Sequence, residues 1–303
     1  MKKIIRSRAD YSTRDPFIIK HNGMYYQCFT KNADAIYIAC AKTTDELEFA
    51  EAKCVYVPNQ NILECAKELW APELHVINGK CYIYVACDDG NNNNHRMFVL
   101  KNNSNNPLDP YTLQGKICDK TNKWAIDATV VLIGETNYFV WSGWEGEENV
   151  CQNLYIAKME NPYTLTSERV LISTPEFEWE KRGASGKTDS PFINEGPFGV
   201  YVDGEFYLLY SAAGSWCEDY CISALKLVGK DPISKESWQK QPLPIFSNNN
   251  LVKGAGHCSV VCEESQNLLF FHAWDKDEEK IRWDTVSVWE ANLTKEQGKL
   301  VIK

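Results

Sequence analysis

Asn22-Gly23-Met24-Tyr25-Tyr26 joins a turn dipeptide to an aromatic run, and the same pattern returns four more times. It reappears as Asn78-Gly79-Lys80-Cys81-Tyr82, Glu135-Thr136-Asn137-Tyr138-Phe139, Asp203-Gly204-Glu205-Phe206-Tyr207 and Gln266-Asn267-Leu268-Leu269-Phe270. With Tyr25, Tyr82, Tyr138, Tyr207 and Leu269 as markers, the intervals are 57, 56, 69 and 62 residues. Asn-Gly and Asp-Gly tolerate positive φ at both turn positions and so close tight hairpins. A fixed period of this length signals a repeated unit that cannot bury both faces alone. Each unit offers a third strand, at Ile36–Cys40, Met97–Leu100, Leu154–Ala157, Tyr220–Leu225 and Val286–Trp289. A fourth is placed at Cys54–Val57, Val170–Ser173 and Leu300–Ile302. Four antiparallel strands, five times over, predict an all-β fold, a five-bladed β-propeller spanning 1–303 as one domain. No strand is read before Asp15, so the ring is expected to close by face packing. Helical periodicity is nearly absent; residues 62–69 allow two turns at most.

Outward from the repeat, composition narrows the classes. The chain has 303 residues, 44% of them hydrophobic, with 32 Lys+Arg against 41 Asp+Glu, a net charge of −9. Disorder is excluded by that apolar content. The negative balance gives no general pull toward nucleic acid or anionic lipid, and no apolar run reaches the roughly 20 residues that span a bilayer. The basic start, Met1-Lys2-Lys3, has no apolar segment behind it, which predicts a cytoplasmic protein. Twelve cysteines occur without a C-x-x-C pair and are read as reduced, structural thiols. Gly183-Ala184-Ser185-Gly186-Lys187-Thr188 ends like a phosphate-binding loop, but Lys181 stands where its first glycine belongs, so it is read as a surface loop.

A short motif precedes each hairpin: Arg14-Asp15-Pro16, Trp70-Ala71-Pro72-Glu73, Ala125-Ile126-Asp127, Asn194-Glu195-Gly196-Pro197 and Gly254-Ala255-Gly256-His257. Asp15, Glu73, Asp127, Glu195 and His257 lie 10, 9, 11, 12 and 12 residues before their markers. First strands of a propeller line its channel, so four carboxyls and an imidazole are expected at one mouth. Converging carboxyls push their pKa values apart, which suits a protonated acid beside an ionised base, the requirement of glycoside hydrolysis. Metal binding by oxygen ligands, with His257 reaching the ion directly or through water, is the other chemistry open to such a set. His75 and His272 are read as packing residues.

Taken in order, these motifs resemble glycoside hydrolase family 43, five-bladed propellers that cleave arabinose or xylose linkages with inversion. The similarity runs from Arg14 to about Trp289. Trp141-Ser142-Gly143-Trp144-Glu145-Gly146 and Ser211-Ala212-Ala213-Gly214-Ser215-Trp216 resemble the branch containing exo-acting α-L-arabinofuranosidases. The resemblance implies Asp15 as the general base, Glu195 as the general acid, and Asp127 as the residue that positions Glu195 and raises its pKa. It puts His257 on the axis beneath the sugar. Trp70, Glu73, Trp144 and Arg282 are grouped with His257 as substrate contacts. The resemblance implies no required cofactor, with room for a structural Ca2+ or other ion on the axis beside His257. Where the family has Gly-Pro-Gly-His, this chain has Ala255 for the proline. The expected partner is an arabinose-containing oligosaccharide, short and imported if no leader was present, with no nucleic acid or membrane. A β-xylosidase and a catalytically silent glycan-binding propeller are the alternatives.

Overall fold

The computed structural model describes residues 1–7, 13–183 and 190–303, and the chain is all-β, with only short 3₁₀ turns beside its strands. After β1 (Lys2–Ile5), the first unit holds β2 (Phe17–His21), β3 (Met24–Lys31), β4 (Ala35–Ala41) and β5 (Ala52–Tyr56). The second holds β6 (Lys67–Ile77), β7 (Lys80–Asp88), β8 (Arg96–Asn102) and β9 (Tyr111–Lys116). The third holds β10 (Ala125–Ile133), β11 (Thr136–Gly143), β12 (Cys151–Asn161), the two-residue β13 (Thr164–Leu165) and β14 (Val170–Ser173). The fourth holds β15 (Phe192–Val202), β16 (Glu205–Ala212), β17 (Cys221–Leu227) and β18 (Trp238–Lys240). The fifth holds β19 (Val252–Cys262), β20 (Asn267–Asp275), β21 (Ser287–Glu296) and β22 (Lys299–Ile302).

Within each unit successive strands pair antiparallel, except that β13 and β14 of the third unit both pair with β12, and the third and fourth units are stitched by two parallel pairs, Cys151 with Phe192 and Gln152 with Ile193. The predicted turns fall between first and second strands. Asn22 and Gly23 have φ of 49° and 76°, Asn78 and Gly79 50° and 71°, Asp203 and Gly204 51° and 76°. This left-handed pair matches the twist of the flanking strands, and glycine enters it without a Cβ penalty.

Alternation along the second strands explains why no unit stands alone. Tyr207 and Leu209 of β16 pack toward Leu269 and Phe271 of the fifth unit, whereas Leu208 and Tyr210 pack toward Val140 and Ile156 of the third. Further apolar clusters join the first unit to the second, the second to the third, and the fifth back to the first. The first strands pack in cyclic order: β2 on β6, β6 on β10, β10 on β15, β15 on β19, and β19 on β2. No helix among the described residues is long and apolar enough to cross a membrane.

Two expectations are corrected. A strand does precede Asp15: β1 pairs with β21 of the last unit, Lys3 opposite Trp289 and Ile5 opposite Val288. Closure therefore uses a shared strand as well as face packing. Two apolar residues were too short a run to read as a strand, yet Ile4 and Ile5 are buried between the fifth and first units. Ile5→Ala is expected to cost about 2–5 kcal/mol of unfolding free energy, read by urea denaturation. A loss under about 0.5 kcal/mol, the range of surface substitutions, would mean that β1 does not hold the ring shut. Residues 62–69 stay within the limit of two turns: a single 3₁₀ turn at Leu63–Cys65 leads into β6. Cys65 and Cys87 form a disulfide, with Cα atoms 5.0 Å apart, while the other ten cysteines are free thiols. Their 22-residue separation carries no signal, because the 3₁₀ turn alone lays Cys65 beside β7. Of the loop Gly183–Thr188, residues 184–188 lie outside the described residues.

Candidate active site

Each long first strand breaks register with its partner near one end. The breaks fall between Trp70 and Glu73, Ile126 and Thr129, Glu195 and Phe198, and Gly256 and Ser259. A residue with positive φ sits in every break: Ala71 (42°), Asp127 (53°), Gly196 (54°) and His257 (49°), matched by Asp15 (50°) just before β2. Such bulges bend a strand and re-aim its side chains. Left-handed backbone at non-glycine residues costs energy, and its recurrence at one place marks a functional site.

These bulges surround a cavity of about 230 Å³, lined among others by Asp15, Asp127, Glu195, His257, Trp70 and Arg14. It is room for a group the size of one monosaccharide. Asp15 opens to it with a side chain 29% exposed, while Asp127, Glu195 and His257 are buried at its floor. His257 Nδ1 stands 3.0 Å from Asp15 Oδ1 and 3.9 Å from Asp127 Oδ2. The Gly196 N–H donates to Asp127 Oδ2 at 3.2 Å, tying Asp127 to the backbone next to Glu195. The Tyr220 hydroxyl donates to Glu195 Oε1 at 2.8 Å. The Asp15 N–H donates to His272 Nδ1 at 3.1 Å.

The carboxyls titrate far apart. Burial raises Asp15, but the His257 charge and hydrogen bond outweigh it and hold the carboxyl well below its usual range. Burial, with the Asp127 charge added, pushes Glu195 up to about 8, against the pull of His257 and Tyr220. Burial lifts Asp127 to about 6; His257 opposes the rise and Asp15 adds to it. Burial lowers His257, yet Asp15 and Asp127 override it and carry the imidazole up to about 10. At neutral pH the cavity thus holds an ionised Asp15, a neutral Glu195 and an imidazolium between acids.

Trp70 joins the wall, its ring 3.9 Å from that of His95 behind it. Other expected contacts lie elsewhere. Glu73 sits two residues past the left-handed Ala71, so it turns away from the cavity; it is buried and bonded to His75 Nε2 at 2.8 Å. The main-chain N–H of Trp144 donates to Trp124 O, and its ring stacks on that of Trp124 at 4.6 Å and 9°. Arg282 is on the surface, paired with Asp284, and its neighbour Trp283 reaches the cavity instead. His272 is buried as read, and additionally holds the Asp15 backbone.

The motifs did not point to Arg14, Gln152, Trp216 or Trp283, all of which line the cavity. The Arg14 guanidinium lies over the Trp283 ring at 5.0 Å, and Trp216 and Trp283 remain 39% and 38% exposed at the rim. Arg14 adjoins Asp15 in sequence and was legible; the tryptophans come from loops whose course only the fold defines. His257 Nδ1 faces Asp15, which leaves Nε2 as the ring nitrogen through which an ion would be met. Among the described residues, no three ligating side chains converge on one point.

Residues 9–286 match the model of Glycosyl hydrolases family 43. An "Extracellular exo-alpha-(1->5)-L-arabinofuranosidase" of Streptomyces chartreusis is 30% identical over 281 residues, covering 89% of this chain and 81% of that protein. One of the same name from Streptomyces avermitilis is 30% identical over 85% of this chain, which spans only 54% of that relative's length. The crystal structure of an α-L-arabinofuranosidase from Lactobacillus brevis superposes with a TM-score of 0.86 at 28% identity, covering 98% and 95% of the two chains. The names of the two Streptomyces relatives overturn the expected cytoplasmic location, and the argument for imported substrates falls with it.

Proposed function

The chain belongs to glycosyl hydrolase family 43, and from that premise we propose that it is an inverting exo-α-L-arabinofuranosidase removing terminal arabinofuranosyl residues from arabino-oligosaccharides. One observation carries the reading: two carboxyls at a single sugar-sized cavity, Asp15 held ionised and Glu195 held neutral. Asp15 takes a proton from water as the water attacks the anomeric carbon. Glu195 gives its proton to the departing glycosidic oxygen, so the bond to the aglycone breaks as the bond to water forms. Asp127 holds the Gly196 N–H and, when ionised, keeps the Glu195 proton on. His257 stays charged and stabilises the Asp15 carboxylate before attack. Trp70, stacked on His95, offers its ring to the sugar.

The acid/base pair needs no metal, and the imidazolium supplies the positive charge an axial ion would bring. The cyclic packing of five first strands supports a five-bladed propeller of four-stranded blades, with residues 1–303 as one catalytic domain. Inversion requires the two carboxyls roughly 6.5–9.5 Å apart, leaving room for water.

Proton NMR of the anomeric signals during digestion of α-1,5-arabinotriose, with xylobiose run alongside, tests the proposal. Early release of β-arabinofuranose is the expected result. Release of α-arabinofuranose would overturn inversion, and xylose alone would make the protein a β-xylosidase using the same residues.

A further inference from the structure

We propose that Tyr220, backed by Ser211, is a positioning residue that directs the transferable proton of Glu195 onto Oε2, the oxygen Tyr220 does not hold. The inference rests on the reading of Glu195 as the general acid.

A one-way chain of hydrogen bonds carries it. The His257 main-chain N–H donates to Ser211 Oγ at 2.6 Å, and the Ser211 hydroxyl faces that of Tyr220, whose pKa it pulls down against burial. Tyr220 meets Glu195 Oε1 at 2.8 Å, and every group in the chain is buried. A backbone N–H only donates, whereas a hydroxyl has one proton to give. Ser211 is therefore an acceptor from His257, its own proton goes to Tyr220 Oη, and the Tyr220 proton is left for Oε1. A second proton on Oε1 would face that donor head-on, so neutral Glu195 carries its proton on Oε2. When Glu195 releases the proton, the Tyr220 bond becomes charge-assisted and strengthens. The chain thus orients the acid before transfer and stabilises it afterward.

Tyr220 itself has little freedom. Its ring stacks on His272 with centroids 5.5 Å apart and planes 12° from parallel. Gly256 approaches so closely that a Cβ there would stand 2.0 Å from Tyr220 Cε1. His272 Nδ1 accepts the Asp15 N–H, so the ring that orients the acid leans on the side chain that anchors the base. The titratable groups facing Glu195 are Asp127 on β10, His257 on β19, Asp15 before β2, and Tyr220.

Tyr220→Phe keeps the ring and removes the donor. Michaelis parameters and pH profiles are measured on α-1,5-arabinobiose, whose sugar leaving group needs a proton, and on 4-nitrophenyl α-L-arabinofuranoside, whose phenolate scarcely does. Since acid catalysis contributes roughly 10²–10⁴-fold, misdirecting the proton is expected to lower kcat on arabinobiose about tenfold or more, with KM within about twofold. The aryl substrate loses less than about threefold, and the alkaline limb moves to higher pH because the ionised acid has lost a donor. Ser211→Ala shifts both in the same direction and decides the matter if Tyr220→Phe does not fold. Glu195→Gln sets the scale. A leaving-group-selective loss there, with equal losses on both substrates or an unmoved limb in Tyr220→Phe, overturns the proposal. An unselective loss in Glu195→Gln overturns the acid reading and the proposal with it.

Discussion

Asp15→Asn is expected to lower kcat on arabino-oligosaccharides by about 10³- to 10⁴-fold while KM changes little, because only the charge that activates water is removed. The substitution is gentle on the fold. Asparagine adopts the left-handed backbone that position 15 requires, and the N–H that bonds His272 belongs to the main chain. What changes is electrostatic: the imidazolium of His257, lifted to about 10 chiefly by Asp15 against its burial, loses its main support and its pKa falls. Steady-state kinetics on arabinotriose, with the His257 ring titrated by NMR, read both effects. Activity within about tenfold of the parent would move the base to another residue, since a general base contributes at least about 10²-fold.

Glu195→Gln is expected to cost about 10²- to 10⁴-fold in kcat on the same substrates and to erase the alkaline limb of the pH profile. The direction follows from the two shifts. Glu195 works while protonated, and with its pKa raised to about 8 its contribution is lost as pH climbs through that value. Asp15 works while ionised, and with its pKa depressed its contribution is lost only on the acid side of the ordinary carboxylate range. The parent should therefore show a plateau that ends near pH 8. That limb belongs to the coupled pair of Glu195 and Asp127 rather than to one residue. Glutamine leaves no acid to titrate there. A limb at pH 8 surviving in Glu195→Gln would place the acid elsewhere.

Much of the site was legible because its motifs are local. Asp15, Asp127, Glu195 and His257 each stand beside a proline, glycine or small residue at a strand start, and spacing from the hairpin turns brought them to one end of the fold. The same spacing misled at Glu73. Counting residues assumes uniform strands, whereas four of the five first strands carry a bulge whose place decides which side chain turns inward. In the second and fourth units the left-handed place falls on Ala71 and Gly196, so Glu73 leaves the cavity while Glu195 remains in it. Trp144 and Arg282 failed for a related reason: a tryptophan or arginine near a motif has no fixed direction until its loop is built. The Cys65–Cys87 bond and the pairing of β1 with β21 join partners distant along the chain, beyond the reach of local pattern.

By itself the sequence determined the all-β class and the places of the hairpin turns, since turn dipeptides and alternating apolar runs act over a few residues. Tertiary structure alone decided which acids meet, how the ring closes and what each carboxyl carries at neutral pH. Those outcomes depend on bulge position, burial and distances of a few ångströms between separate strands, and protonation follows from burial and charge proximity rather than from residue type.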